Sequence, residues 1–126
     1  MQRDLQTPIA EVRQINEKTL YIHYLPTVKD IDKINQHFKL VEELFGRNLL
    51  MLVDVRRVKT TNAKARRYMA KNNPVASAAA IVVNNGPSAI IGNFFLKFDS
   101  PPFPAKLFSQ ETEAKKWLDK ILIEQE

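Results

Sequence analysis

Hydrophobic positions along the chain switch between a two-residue and a three-to-four-residue rhythm. Ile9–Ile15 reads as a strand with Glu11 and Arg13 sharing one face. Leu20–Leu25 alternates, placing Leu20, Ile22 and Tyr24 on one side and Tyr21, His23 and Leu25 on the other. Asn16-Glu17-Lys18-Thr19 between them supplies turn chemistry, so an antiparallel hairpin is expected. Residues 1–8 carry no such pattern and read as a loose lead-in. Ile31, Ile34, Phe38, Val41 and Phe45 then recur at helical spacing, one apolar stripe. Thr27 with Asp30 is expected to cap the start of this helix, and Gly46 to end it in a left-handed turn.

Two segments, Leu49–Val53 and Val75–Val83, are apolar without alternation, as expected of strands covered on both faces. The alanines of the second imply closely packed helices. Between them, Thr60, Thr61 or Asn62 can cap a short helix running to about Lys71, ended by Asn72-Asn73-Pro74. Ser88 introduces a helix over Ala89–Phe98, and Asp99-Ser100-Pro101-Pro102 breaks it. Phe103–Phe108 reads as a short strand whose Pro104 favours a sheet edge. Ser109 caps a last helix with Ala114, Trp117, Leu118, Ile121 and Leu122 on its buried stripe. The order β-β-α-β-α-β-α-β-α predicts one α/β domain over residues 1–126, with its core over about 9–123. Its mixed sheet has about five strands, joined by right-handed crossovers with helices packed on the sheet.

Composition narrows the chemistry. There is no cysteine, so disulfides, thiolate catalysis and Cys-based zinc sites are excluded. No apolar run approaches the roughly 20 residues of a membrane span, so an integral membrane protein is not expected. Met1-Gln2-Arg3-Asp4 lacks an apolar signal region, and a cytoplasmic location follows as the default expectation.

The net charge of +5 is distributed unevenly. Between Asp54 and Asp99 there are eight basic residues and no acidic one: Arg56, Arg57, Lys59, Lys64, Arg66, Arg67, Lys71 and Lys97. Most of them directly follow the strand Leu49–Val53. A strand end is where open α/β folds place their working surface.

The strand Leu49–Asp54, the loop Val55–Thr61 and the helix from Asn62 resemble the strand-loop-helix at the heart of the STAS domain. That is the fold of anti-sigma-factor antagonists of the SpoIIAA type. Ile91-Gly92-Asn93-Phe94-Phe95, and Lys106-Leu107-Phe108 before the Trp117-Leu118 helix, are similar to small uncharacterised bacterial relatives. The resemblance covers roughly residues 9–123 and implies a SpoIIAA-like fold and a regulatory, protein-binding role. The family's loop carries an Asp-Ser-Ser-Gly type motif whose serine is phosphorylated. Here Val58-Lys59-Thr60-Thr61-Asn62-Ala63-Lys64 has neither serine nor glycine, and Thr60 or Thr61 stands in that place. The fold is also similar to lipid-binding CRAL-TRIO domains, which leaves ligand binding open.

Two features are candidates for function. The basic loop and helix offer Arg56, Arg57, Thr60, Thr61, Asn62, Lys64 and Arg67 as an anion site at a helix N-terminus, against the plainer reading of a solvated cationic face. The helix over Ile90–Phe98 is apolar almost all round, so Ile91, Phe94, Phe95 and Phe98 are candidates for an interaction surface, for a protein partner or a homodimer. Together the two could hold a small anionic or amphiphilic ligand. Only Tyr68 interleaves aromatic character with the basic helix, which argues against nucleic acid. His23 and His37 lack metal-site spacing, no Gly-rich phosphate loop is present, and Asp54 has the position of a loop cap. A non-enzymatic regulatory or interaction domain without cofactor or metal is the expectation.

Overall fold

A computed structural model describes residues 3–125 of the chain. The elements are β1 (Asp4–Gln6), β2 (Ala10–Asn16), β3 (Thr19–Tyr24), β4 (Thr27–Val28), α1 (Ile31–Phe45), β5 (Leu49–Asp54), β6 (Thr60–Thr61) and α2 (Ala63–Lys71). They continue with β7 (Ala76–Val82), α3 (Pro87–Phe94) running into a π-helical turn (Phe95–Asp99), β8 (Ala105–Phe108) and α4 (Glu111–Gln125). Six strands form one sheet in the order β1-β2-β3-β5-β7-β8, and β4 pairs with β6 beside it. The pairs β1-β2 and β2-β3 are antiparallel; β3-β5, β5-β7 and β7-β8 are parallel.

From β3 onward each crossover steps to the next strand on the same side, without reversal. Right-handed crossovers that never reverse put their helices on one face. Ile34, Phe38 and Val41 of α1, Ala65 of α2 and Ile91 of α3 therefore pack against Leu49, Met51, Ala79 and Ile81. The opposite face has only α4, whose Ala114 and Leu118 pack on Leu50, Leu52, Ala78, Ala80 and Val82. The strands β5 and β7 are thus buried on both sides, and small alanines let α4 lie close. One helix cannot cover six strands. The α4 side of β2 and β3 stays open, with Glu11 beside His23 and Arg13 beside Tyr21.

Several boundaries differ from the sequence expectation, each for a local reason. The lead-in contributes a sixth strand, because Asp4, Leu5 and Gln6 pair with Arg13, Val12 and Glu11. Three residues with one apolar side chain are too short to show a period. Asp30, not Thr27, caps α1: its carboxylate accepts from the backbone N–H of Asp32 (2.9 Å) and Lys33 (3.3 Å). Thr27 is instead held in β4 opposite Thr60. Ser88 does not cap α3, which begins at Pro87; its hydroxyl donates to Asn84 Oδ1 at 2.6 Å. The last strand starts at Ala105 rather than Phe103, at the sheet edge beside Pro104.

Under α1 the core holds one fully buried polar ring. His37 is 0% exposed, hydrogen-bonded to the Thr7 hydroxyl (2.7 Å from Nδ1) and within 3.4 Å of the Tyr24 hydroxyl. Burial disfavours its charged form and lowers its pKa from 6.5 to about 4. Between those values the unfolded chain binds the proton and the folded one does not, so stability rises with pH across that window. Chemical denaturation is expected to give the wild type roughly 3 kcal/mol more stability at pH 7.5 than at pH 4 from this group. His37→Gln removes most of that slope; an unchanged slope contradicts the assignment.

Candidate functional site

The strand β5 ends on Asp54, which is 2% exposed and is the acceptor for four donors. The Tyr21 hydroxyl donates to it at 2.7 Å, and Arg56 donates from NH2 (2.8 Å), Nε (3.0 Å) and its backbone N–H (3.0 Å). Arg56 also lies 3.4 Å from Glu111 at the start of α4, and His23 Nε2 lies 3.9 Å from the Asp54 carboxylate. Burial opposes ionisation of Asp54, but the hydrogen bonds from Arg56 and Tyr21 outweigh it and hold the pKa at about 2. Burial and the same carboxylate push the Tyr21 phenol up, and Asp54 does likewise for the Arg56 guanidinium. A carboxylate held this low is a poor proton acceptor near neutral pH. Asp54 caps its own loop and ties β5, β3 and α4 together.

The other candidate anion-site residues divide between two faces of the sheet. Arg57 straps the hairpin, donating to Glu11 (2.7 Å) and to the Tyr24 carbonyl (3.1 Å). The Asn62 side chain caps α2 by accepting from the Ala65 N–H at 2.8 Å. Thr60 is exposed, whereas Thr61 is half-buried, and their backbones pair with Thr27 and Val28. Lys64 and Arg67 point outward from α2 on the opposite side of the sheet from Arg56, with no ion pair among the described residues. The seven residues therefore do not converge on one anion. The physical reason is that acidic partners outside the basic block, Glu11 and Glu111, bind its first two arginines. Nothing in the spacing between Arg56 and Glu111 announces that contact, because the fold alone brings them together.

Beneath α2 lies an apolar concavity, between α2, α3 and the sheet. Its accessible volume is about 80 Å³, room for a small apolar group. Met51, Val53, Ile81, Met69, Ile91 and Phe95 line it, among others, and Thr61, Arg66 and Asn73 are its polar edges. Arg66 donates to Asp99 at 3.2 Å and stacks over the Phe94 ring at 5.4 Å. The four apolar candidates of the α3 region separate here. Ile91 and Phe95 face the cavity, while Phe94 (41% exposed) and Phe98 (69%) face out, their rings 5.3 Å apart, with Ile90 (61%) one turn before. Ile91 and Phe95 are thus half-buried at the cavity wall rather than part of the outer face. The helix can press this closely because Gly92 has no side chain; a Cβ there would stand 2.9 Å from a Leu107 methyl.

Two measurements follow from the Asp54 hub. Asp54→Asn removes the charged acceptor of Arg56 and Tyr21 while Arg56 keeps Glu111, and is expected to lower unfolding stability by about 1.5–3 kcal/mol. Tyr21→Phe removes one hydrogen bond to a charged group and is expected to lower it by about 1.5–3 kcal/mol. Urea denaturation reads both, and a loss under about 0.5 kcal/mol for Asp54→Asn, below the range of a single hydrogen bond, contradicts the hub.

No helix among the described residues is long and apolar enough to cross a membrane. Among them, too, no cluster of three or more His, Asp or Glu residues could hold a metal ion. No curated protein matches the chain. Among solved structures it is similar to an uncharacterised protein of the DUF3478 family with a SpoIIAA-like fold, from Shewanella loihica PV-4. The identity is 14% and the TM-score 0.60, over 94% of this chain and 98% of that one. The likeness shows a SpoIIAA-like fold. A family model matches residues 14–122, and the chain belongs to that family, DUF7793, a domain of unknown function.

Proposed function

We propose that this protein is a non-enzymatic interaction domain that binds a protein partner through the outer face of α3 and its π-helical turn. The observation that carries the reading is the exposed apolar patch of Ile90, Phe94 and Phe98. Large exposed apolar side chains in one patch mark interaction sites. Lys97 sits within the turn, and α2 beside it presents Lys64, Arg67 and Lys71. A two-fold dimer through this patch would set these cations against their own copies, so a partner with an acidic rim fits better than a second copy. Two of the candidate acid-base groups weigh against an enzymatic reading. Asp54 is fully engaged, and His37 is sealed in the core.

Affinity capture on the purified full chain, followed by titration of the recovered and separately purified partner, tests this. Phe98→Asp is expected to weaken binding at least tenfold, and Lys97→Glu to weaken it and flatten its salt dependence. Lys115→Ala, on α4, leaves it unchanged. A partner that binds Phe98→Asp as tightly as wild type removes this face. Light scattering that finds a concentration-dependent dimer, broken by Phe98→Asp, replaces the heterologous partner with self-association.

A further inference from the structure

We propose that the cavity beneath α2 is a binding site for an uncharged, largely apolar small molecule: a short alkyl chain or ring bearing at most a hydroxyl or carbonyl. The site is independent of the outer face of α3.

Space is the first argument. Protein interiors pack at crystal density, and a void leaves its lining atoms without partners on one side. Here the void sits at the centre of the covered face, walled by β5, β7, α2 and α3, and it stays open at one side. Met69 of α2, Ile91 of α3 and Phe95 of the π-helical turn reach it yet do not fill it.

Charge is the second argument, and it selects the ligand class. Among the described residues Arg66 is the one charged side chain lining the cavity, and Asp99, itself 3% exposed, already neutralises it. Of the remaining cations of the basic block, Arg56 and Arg57 engage acidic partners on the other face of the sheet, and the lysines and Arg67 are exposed to solvent. An anionic head group entering the cavity would lose its water and find no free cation, a strongly unfavourable transfer. The expected ligand is therefore neutral rather than an anionic amphiphile.

A third observation supplies the polar contact. The Asn73 carbonyl oxygen accepts from the backbone N–H groups of Val75 (2.9 Å) and Ala76 (3.1 Å), which fixes the orientation of its amide. Its Nδ2 is then directed at the Met51 thioether, 3.6 Å away, a weak acceptor at the cavity wall. A ligand hydroxyl or carbonyl would give this donor a better partner. Arg66 and Asp99 link α2 to the end of the π-helical turn, so opening that one pair loosens the two elements that wall the cavity.

Isothermal titration calorimetry of the full chain with 1-octanol and with octanoate tests the assignment. The expected result is binding of 1-octanol at least tenfold tighter than octanoate. Ala79→Leu, which fills the cavity from β7, abolishes 1-octanol binding while the melting temperature of the free protein holds or rises. Ile91→Phe fills it from α3 and is the second variant if Ala79→Leu does not fold. Phe98→Asp, outside the cavity, leaves 1-octanol binding intact. No binding of 1-octanol, octanoate binding as tightly, or full binding by a folded cavity-filled variant each overturns the proposal.

Discussion

The direction of the crossovers governs the molecule. Because β3, β5, β7 and β8 follow one another across the sheet without reversal, three helices are confined to one face and α4 alone serves the other. The different build of the two faces follows from that asymmetry. The three-helix side is crowded and encloses the cavity. The one-helix side leaves the hairpin open, and the strand-end charges need partners of their own. Asp54 satisfies this by joining Tyr21 and Arg56, with Glu111 closing the cluster from α4.

Much of the architecture is legible in the residues. The unalternating run Leu49–Val53 states that β5 is covered twice, and Leu50 and Met51 are each buried against a different layer. The stripe of α1 and the edge position of β8 are likewise readable. Two kinds of feature are not. Strands of two or three residues, such as β1 and β4, are too short for any period, and they form only because a longer strand or a loop offers backbone partners. Distant ion pairs are the other kind: Glu11 with Arg57, Glu111 with Arg56 and Asp99 with Arg66 depend on topology, so charge density along the chain misrepresents charge in space.

That distinction changes the meaning of the basic block. Along the sequence its cations form one cluster. In the fold, Arg56, Arg57 and Arg66 are structural cross-links, and Lys64, Arg67 and Lys97 form a solvated fringe around the α2–α3 side. The apolar residues of α3 separate in the same manner, Phe95 inward and Phe98 outward, because Gly92 lets the helix press onto Leu107 and Val83. The apolar cavity, the two outward phenylalanines and the solvated cations of α2 thus lie on one side. On the proposed reading recognition belongs to the α2–α3 side, while the Asp54 cluster ties the sheet to α4.

Methyl-resolved NMR under xenon pressure tests this division most directly, since a small apolar atom occupies dry cavities without needing a specific ligand. The account predicts shifts concentrated on Ile91, Ile81, Val53 and Met69, with the methyls around α4 at Leu50 and Leu118 unmoved. Shifts absent from the cavity lining, or centred instead beneath α4, would contradict it.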